Sequence, residues 1–117
     1  MSDWAERLYA KVDAMDAKGF AEVFLPEGTL RFGNADVLTG PAAIEQAIAG
    51  FFGTIAGLRH ENVGTWEVGD TTILEAKVTY TRKDGRHVTV PAVTIYRRQG
   101  DKARSCRIHV DLAPLYA

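Results

Sequence analysis

The chain has 117 residues, 46% of them apolar, with 14 Lys and Arg against 15 Asp and Glu and a net charge of −1. This is about one domain's worth of chain, too apolar to be disordered. The balanced charge argues against a nucleic-acid partner, which calls for a basic face, and offers no polybasic segment to an anionic membrane. Cys106 is the single cysteine, so no disulfide framework can form within the chain. The start, Met1 to Arg7, lacks the basic-then-apolar order of a signal peptide. The most apolar stretch, 47–57, is shorter than the roughly 20 residues of a transmembrane helix. The expectation is one domain over 1–117, cytoplasmic, with no membrane association.

The first half carries a helical period. Asp3 with Glu6 reads as a capping box, and Trp4, Leu8, Val12 and Met15 form one apolar face, with Gly19 as the stop. Residues 20–25 read as a second short helix closed by Pro26, and Thr29 to Phe32 as a short strand. Thr39-Gly40-Pro41 reads as a helix start with Pro41 in the first position. Ile44, Ile48, Phe51 or Phe52, and Ile55 supply that helix's apolar face.

From Leu58 the period changes to two. Four runs rich in Val, Thr, Ile and Tyr cover about 59–68, 71–82, 86–98 and 102–111, cut by short turns at Gly69-Asp70, Lys83-Asp84-Gly85 and Gln99-Gly100-Asp101. Turns this short join antiparallel neighbours, so the runs predict a meander. Helices first and sheet second predict an α+β fold. Leu74, Ala76, Val78 and Tyr80 share one face, as do Cys106, Ile108 and Val110, while the alternate positions are polar. In the third run Val93 and Ile95 are apolar on the opposite face from Val90, Ala92 and Tyr96. The chain has no spare helix for that outer side, which predicts a homodimer through the sheet; a bend tucking Ile95 under the C-terminal tail is the alternative.

The order helix, short helix, strand, helix, four-strand meander resembles the nuclear-transport-factor-two-like superfamily, in particular its SnoaL-like branch. The resemblance is carried by Phe24-Leu25-Pro26-Glu27-Gly28-Thr29-Leu30, Gly40-Pro41-Ala42-Ala43-Ile44 with Phe51-Phe52, Trp66-Glu67-Val68-Gly69-Asp70-Thr71 and Val110-Asp111-Leu112. It implies a cone-shaped barrel, a curved, mostly antiparallel sheet wrapped around the N-terminal helices over a deep pocket, and frequent homodimers. Members include ketosteroid isomerases, limonene-epoxide hydrolases, polyketide cyclases and non-enzymatic binding modules. Aligned on these motifs, the isomerase base falls near Phe32 and its acid near Ala92. The hydrolase Arg falls on Ala76 and its two Asp on Val78 and Ile108. The cyclase Asp falls on Ile108 as well. The family's carboxylate positions are therefore apolar in this chain.

The polar candidates that remain for a pocket are few. His60 can carry a proton near neutral pH, or it is a structural imidazole bonded to a backbone carbonyl. Tyr9 takes a tyrosine-like position on the first helix. Asn34 can hold a substrate oxygen or serve a turn. Tyr80 and Tyr96 lie on the apolar parity, where a hydroxyl seeks a partner, and Trp66 shares His60's parity, so it either walls the same cavity or fills the core. Val78 and Ile108 are expected as apolar lining. His109 and Asp111 share a face, but the polar outer one. His60, His87 and His109 show no metal-ligand spacing, Cys106 reads as a small hydrophobe, and Gly50-Phe51-Phe52-Gly53 sits in a helical pattern rather than a phosphate loop. The expectation is a small-molecule-binding domain for a small hydrophobic compound, without cofactor or metal. Either it is an enzyme of the isomerase, cyclase or hydrolase type using His60, or it is a binding or accessory module without chemistry.

Overall fold

The computed structural model describes residues 2–117. Helix α1 covers Asp3–Asp13. Its cap is Ser2 rather than Asp3: the Ser2 hydroxyl accepts the Ala5 amide at 3.2 Å, while Asp3 and Glu6 sit in the first turn and complement the helix dipole. The helix ends in a Schellman arrangement, with the Asp16 amide donating to the Lys11 carbonyl and the Met15 amide to the Val12 carbonyl, both at 2.9 Å. Met15 holds the left-handed position that glycine usually takes there, at φ 56°. Helix α2, Ala17–Ala21, follows at once, capped by Asp16, whose Oδ1 accepts the Gly19 amide at 2.9 Å. Gly19 is therefore not a stop. A Cβ there would lie 2.2 Å from the capping carboxylate, so the glycine lets the cap form.

Strand β1 runs Phe24–Phe32 and includes Pro26, which the sequence reading placed at a helix end. Six residues of β1, Phe24 to Thr29, span only the three residues Ala103 to Ser105 of its partner strand. Pro26 and its neighbours thus bulge out of the ladder, where a missing N–H costs nothing. Strand β2 is the two-residue Leu38–Thr39. Helix α3, Pro41–Phe52, starts on Pro41 and buries Ile44, Ile48 and Phe52. The meander follows as β3 Gly57–Val68, β4 Thr71–Thr81, β5 His87–Gln99 and β6 Lys102–Val110, then a 3-10 turn at Ala113–Tyr116. The sheet order is β2-β1-β6-β5-β4-β3, antiparallel except for β1 against β6.

The fold is mixed α+β, a curved six-stranded sheet that holds the helices on its concave side without closing into a barrel. The inward parity is as expected: Leu74, Ala76, Val78, Tyr80, Val90, Ala92, Tyr96 and Cys106 are buried. They pack against Trp4, Leu8, Phe20, Ile44 and Ile48 from the helices. Near the β5–β6 turn, Trp4 meets Tyr96 of β5 edge-on at 5.1 Å, and Arg98 lies 4.1 Å above the Trp4 ring. Val93 and Ile95 are half-buried on the convex side. No helix among the described residues is long and apolar enough to cross a membrane.

One irregularity decides what faces the concave side. Asn62 pairs with Ala76, but Gly64 pairs with Glu75, so Val63 is an extra residue and β3 changes parity there. Before the bulge, Leu58, His60 and Asn62 face inward opposite Tyr80, Val78 and Ala76. After it, Trp66 pairs with Ile73 on the convex side and is 51% exposed. Trp66 therefore neither walls the cavity nor fills the core. Its ring lies over Gly64, where a Cβ would sit 2.5 Å from the indole.

Candidate functional site

Between the helices and the concave face lies a cavity of about 60 Å³. It has room for roughly four to six water-sized groups, at about 10–15 Å³ each. Its walls bring together Tyr9, His60, Val78, Tyr80, Tyr96 and Ile108 from the sequence candidates, with Phe20, Phe32, Phe51, Phe52, Ala92 and Thr94. Phe51 meets Phe32 and Tyr80 edge-to-face at 5.0 and 5.9 Å. Ala76 is buried but does not line this space, and Trp66 and Asn34 are outside it. Asn34 is exposed in the turn after β1 and borders a separate surface groove. His109 and Asp111 are exposed on the outer face, and the Asp111 carboxylate accepts the Ala113 amide at 3.0 Å.

His60 is held by a residue the sequence reading did not single out. Its Nδ1 lies 2.6 Å from Oδ1 of Asp13, the last residue of α1. The His60 backbone amide also donates to the same carboxylate, 3.2 Å to Oδ1 and 3.1 Å to Oδ2. An ionised carboxylate can only accept, so Nδ1 carries the proton and the neutral ring keeps its lone pair on Nε2. A carboxylate at a helix C-terminus opposes the dipole by a few tenths of a kcal/mol up to about 1. That misplaced charge was the signal available in the sequence, and its hydrogen bonds to His60 offset the cost.

The rest of the cluster orients the ring. Tyr9 lies on α1 one turn before Asp13, and its ring is tilted 30° against the imidazole at a centroid distance of 4.9 Å. Asn62, two residues along β3 from His60, donates from Nδ2 to the Tyr9 hydroxyl at 3.4 Å and to the Gly64 carbonyl at 3.3 Å. Thr65 donates in turn to Asn62 Oδ1 at 3.4 Å. Asn62 reaches the cluster because the bulge at Val63 leaves it on the inner face.

Burial keeps the other polar groups neutral. Desolvation, with a smaller contribution from Tyr116, pushes Tyr80 up to about 12. Desolvation also raises Tyr96 well above the ordinary tyrosine value, helped by Cys106 beside it, and lifts Cys106 to about 12 against a smaller lowering by the Tyr96 hydroxyl. Tyr9 is raised by burial, opposed by Asn62. Tyr9, Tyr80 and Tyr96 therefore act as hydrogen-bond donors, and Cys106 is no nucleophile. Among the described residues, no group of three or more His, Cys, Asp or Glu gathers as a metal site.

The SnoaL-like domain model matches residues 5–105, and the chain belongs to that family. No curated protein matches it in sequence. Among solved structures it is similar to a hypothetical protein with a ketosteroid isomerase-like fold from Catenulispora acidiphila, solved in complex with trimethylamine. That match has 18% identity and a TM-score of 0.89, over 97% of this chain and 89% of that one. It is also similar to an NTF2-like protein of unknown function from Burkholderia pseudomallei, with 18% identity and a TM-score of 0.86 over 98% and 95% of the two chains. TerC co-crystallised with polyporic acid matches with 18% identity and a TM-score of 0.83, over 97% and 93%. At these identities the likeness is one of fold, and function has to be argued from the site.

The buried hydroxyl and thiol make a prediction about alkaline stability. In the unfolded chain, Cys106 and Tyr80 ionise near 9 and 10, whereas in the fold they keep their protons to about 12. As pH rises the unfolded state releases protons first, so stability that is full below pH 9 falls progressively toward pH 12. Denaturant midpoints taken from pH 8 to 12 should decline over that window. Tyr80→Phe should flatten the decline between pH 10 and 12 by up to about 1.4 kcal/mol per pH unit. An unchanged slope would show that Tyr80 ionises freely in the fold.

Proposed function

We propose that this domain binds a compact, largely apolar molecule in the concave cavity and that His60, oriented by Asp13, moves a proton on it. The observation that carries the reading is the 2.6 Å contact between His60 Nδ1 and Asp13 on a histidine that lines the cavity. It leaves Nε2 as the atom with which His60 acts: it accepts a proton from the ligand and the imidazolium so formed is stabilised by the carboxylate behind it. The tyrosine hydroxyls are the donors available to an oxygen on which charge develops. This is proton-transfer chemistry of the isomerase or cyclase kind, run without the carboxylates that the family resemblance places at Phe32, Val78, Ala92 and Ile108. The trimethylamine of the Catenulispora structure is a molecule of the size this cavity admits, which supports a compact ligand over a drug-sized one, whose pocket would need about 300 Å³ or more.

The test is native mass spectrometry of the protein purified from its own host. A retained small molecule should be present in the wild type and absent in Ala92→Leu, which fills the cavity. With the ligand identified, His60→Gln and Asp13→Asn should each lower turnover by about a hundredfold or more while the ligand still binds. Binding with no turnover change in either variant would leave a carrier module, the second reading from the sequence, and refute the proton-transfer role.

The convex face supports the homodimer expected from Val93 and Ile95. The register aligns Trp66, Ile73 and Ile95 in one row across β3, β4 and β5, with Val93 beside it in the row Glu75–Val93–His109. We propose a second copy as the cover. Val93→Asp should weaken association by about 3–5 kcal/mol through a buried unpaired charge. A wild type that sediments as a monomer at micromolar concentration would contradict the assembly.

A further inference from the structure

The cavity and the apolar row leave one cluster of side chains unused, at the far end of the convex face beyond Ile95. Arg31 on β1 and Arg107 on β6 are register partners in the parallel pair and both are exposed. Like charges directly across a ladder repel. Among the described residues neither guanidinium has a carboxylate within ion-pair distance, although Arg82, Arg86, Arg98 and Arg104 all do. Arg31 is also held in place, since its Nε donates to the Ala35 carbonyl across the following turn at 3.2 Å. That contact fixes the side chain over the turn while its terminal nitrogens stay available.

The two arginines border a groove of about 250 Å³ completed by Gly33, Asn34, Val37, Ile108 and His109. No acidic side chain lines it. Asp36 in the turn and Asp111 beyond β6 are the nearest acids in sequence, and Asp111 is engaged with the Ala113 amide. Gly33 turns the chain at φ 57°, and its amide is spent on the Ile108 carbonyl at 2.8 Å, so the groove's donors are the side chains of Arg31, Arg107, Asn34 and His109. Planar guanidinium forks and an amide bordering an open, acid-free groove match a carboxylate or phosphate.

We infer that the Arg31–Arg107 groove is an oxyanion-binding site, separate from the cavity. It takes the carboxylate or phosphate group of a small molecule. The test is an NMR titration of the full chain with inorganic phosphate and, separately, acetate, each against sodium chloride at equal ionic strength. Saturable shifts confined to residues 31–37 and 105–110 are expected. Saturation by phosphate alone assigns the site to a phosphoryl group, by acetate alone to a carboxylate, and by both to oxyanions in general. Arg31→Gln and Arg107→Gln should each weaken the binding about tenfold with the denaturation midpoint unchanged. Shifts no larger than those with chloride, or shifts unaltered in both variants, would overturn the inference. So would a loss of self-association in the variants without any anion binding in the wild type, since the arginines would then serve a second copy's carboxylates.

Discussion

The contact between Asp13 and His60 sets the geometry of the candidate site. One carboxylate at the end of α1 accepts both the backbone amide and the imidazole of His60. It thereby ties the first helix to strand β3 across the mouth of the sheet. The same contact fixes which imidazole nitrogen is protonated. Tyr9 stacks on the ring from the same helix, and Asn62 anchors Tyr9 from the same strand. Without Asp13 the helix end would lose its hydrogen bonds to His60 of β3, and an apolar cavity would hold an unoriented imidazole.

The second constraint is the extra residue Val63. A strand of twelve residues, Gly57–Val68, with strict alternation would point His60 and Trp66 the same way. The bulge reverses the alternation, so that His60 lines the cavity, Asn62 reaches Tyr9 beside it, and Trp66 joins Ile73 and Ile95 on the convex row. One inserted residue thus separates the polar cluster of the site from the apolar outer surface within a single strand.

The meander was legible because its signals are local. Period-two alternation and short glycine turns placed β3 to β6 within about two residues, and inward parity on β4, β5 and β6 needed nothing beyond the pleat. What escaped depends on contacts distant in sequence or on backbone exceptions. Gly19 looked like a stop because glycine so often ends helices, yet here it makes room for the Asp16 cap. Pro26 looked like a helix terminator because nothing nearby reveals that β1 bulges against β6. The parity of Trp66 could not be read without knowing that Val63 is unpaired. Asp13 carried a faint mark, a negative charge at the wrong end of a helix, but its partner lies 47 residues away.

If Asp13 holds His60 as an oriented proton carrier, the imidazole itself reports it. Long-range ¹⁵N–¹H correlation spectra of the wild-type protein, recorded at a pH where His60 is neutral, distinguish the two ring nitrogens. The expected result is a protonated Nδ1 with a strongly hydrogen-bonded proton and an unprotonated Nε2. A neutral His60 with its proton on Nε2 would contradict it, because that ring could neither donate to Asp13 nor accept a proton from a molecule in the cavity.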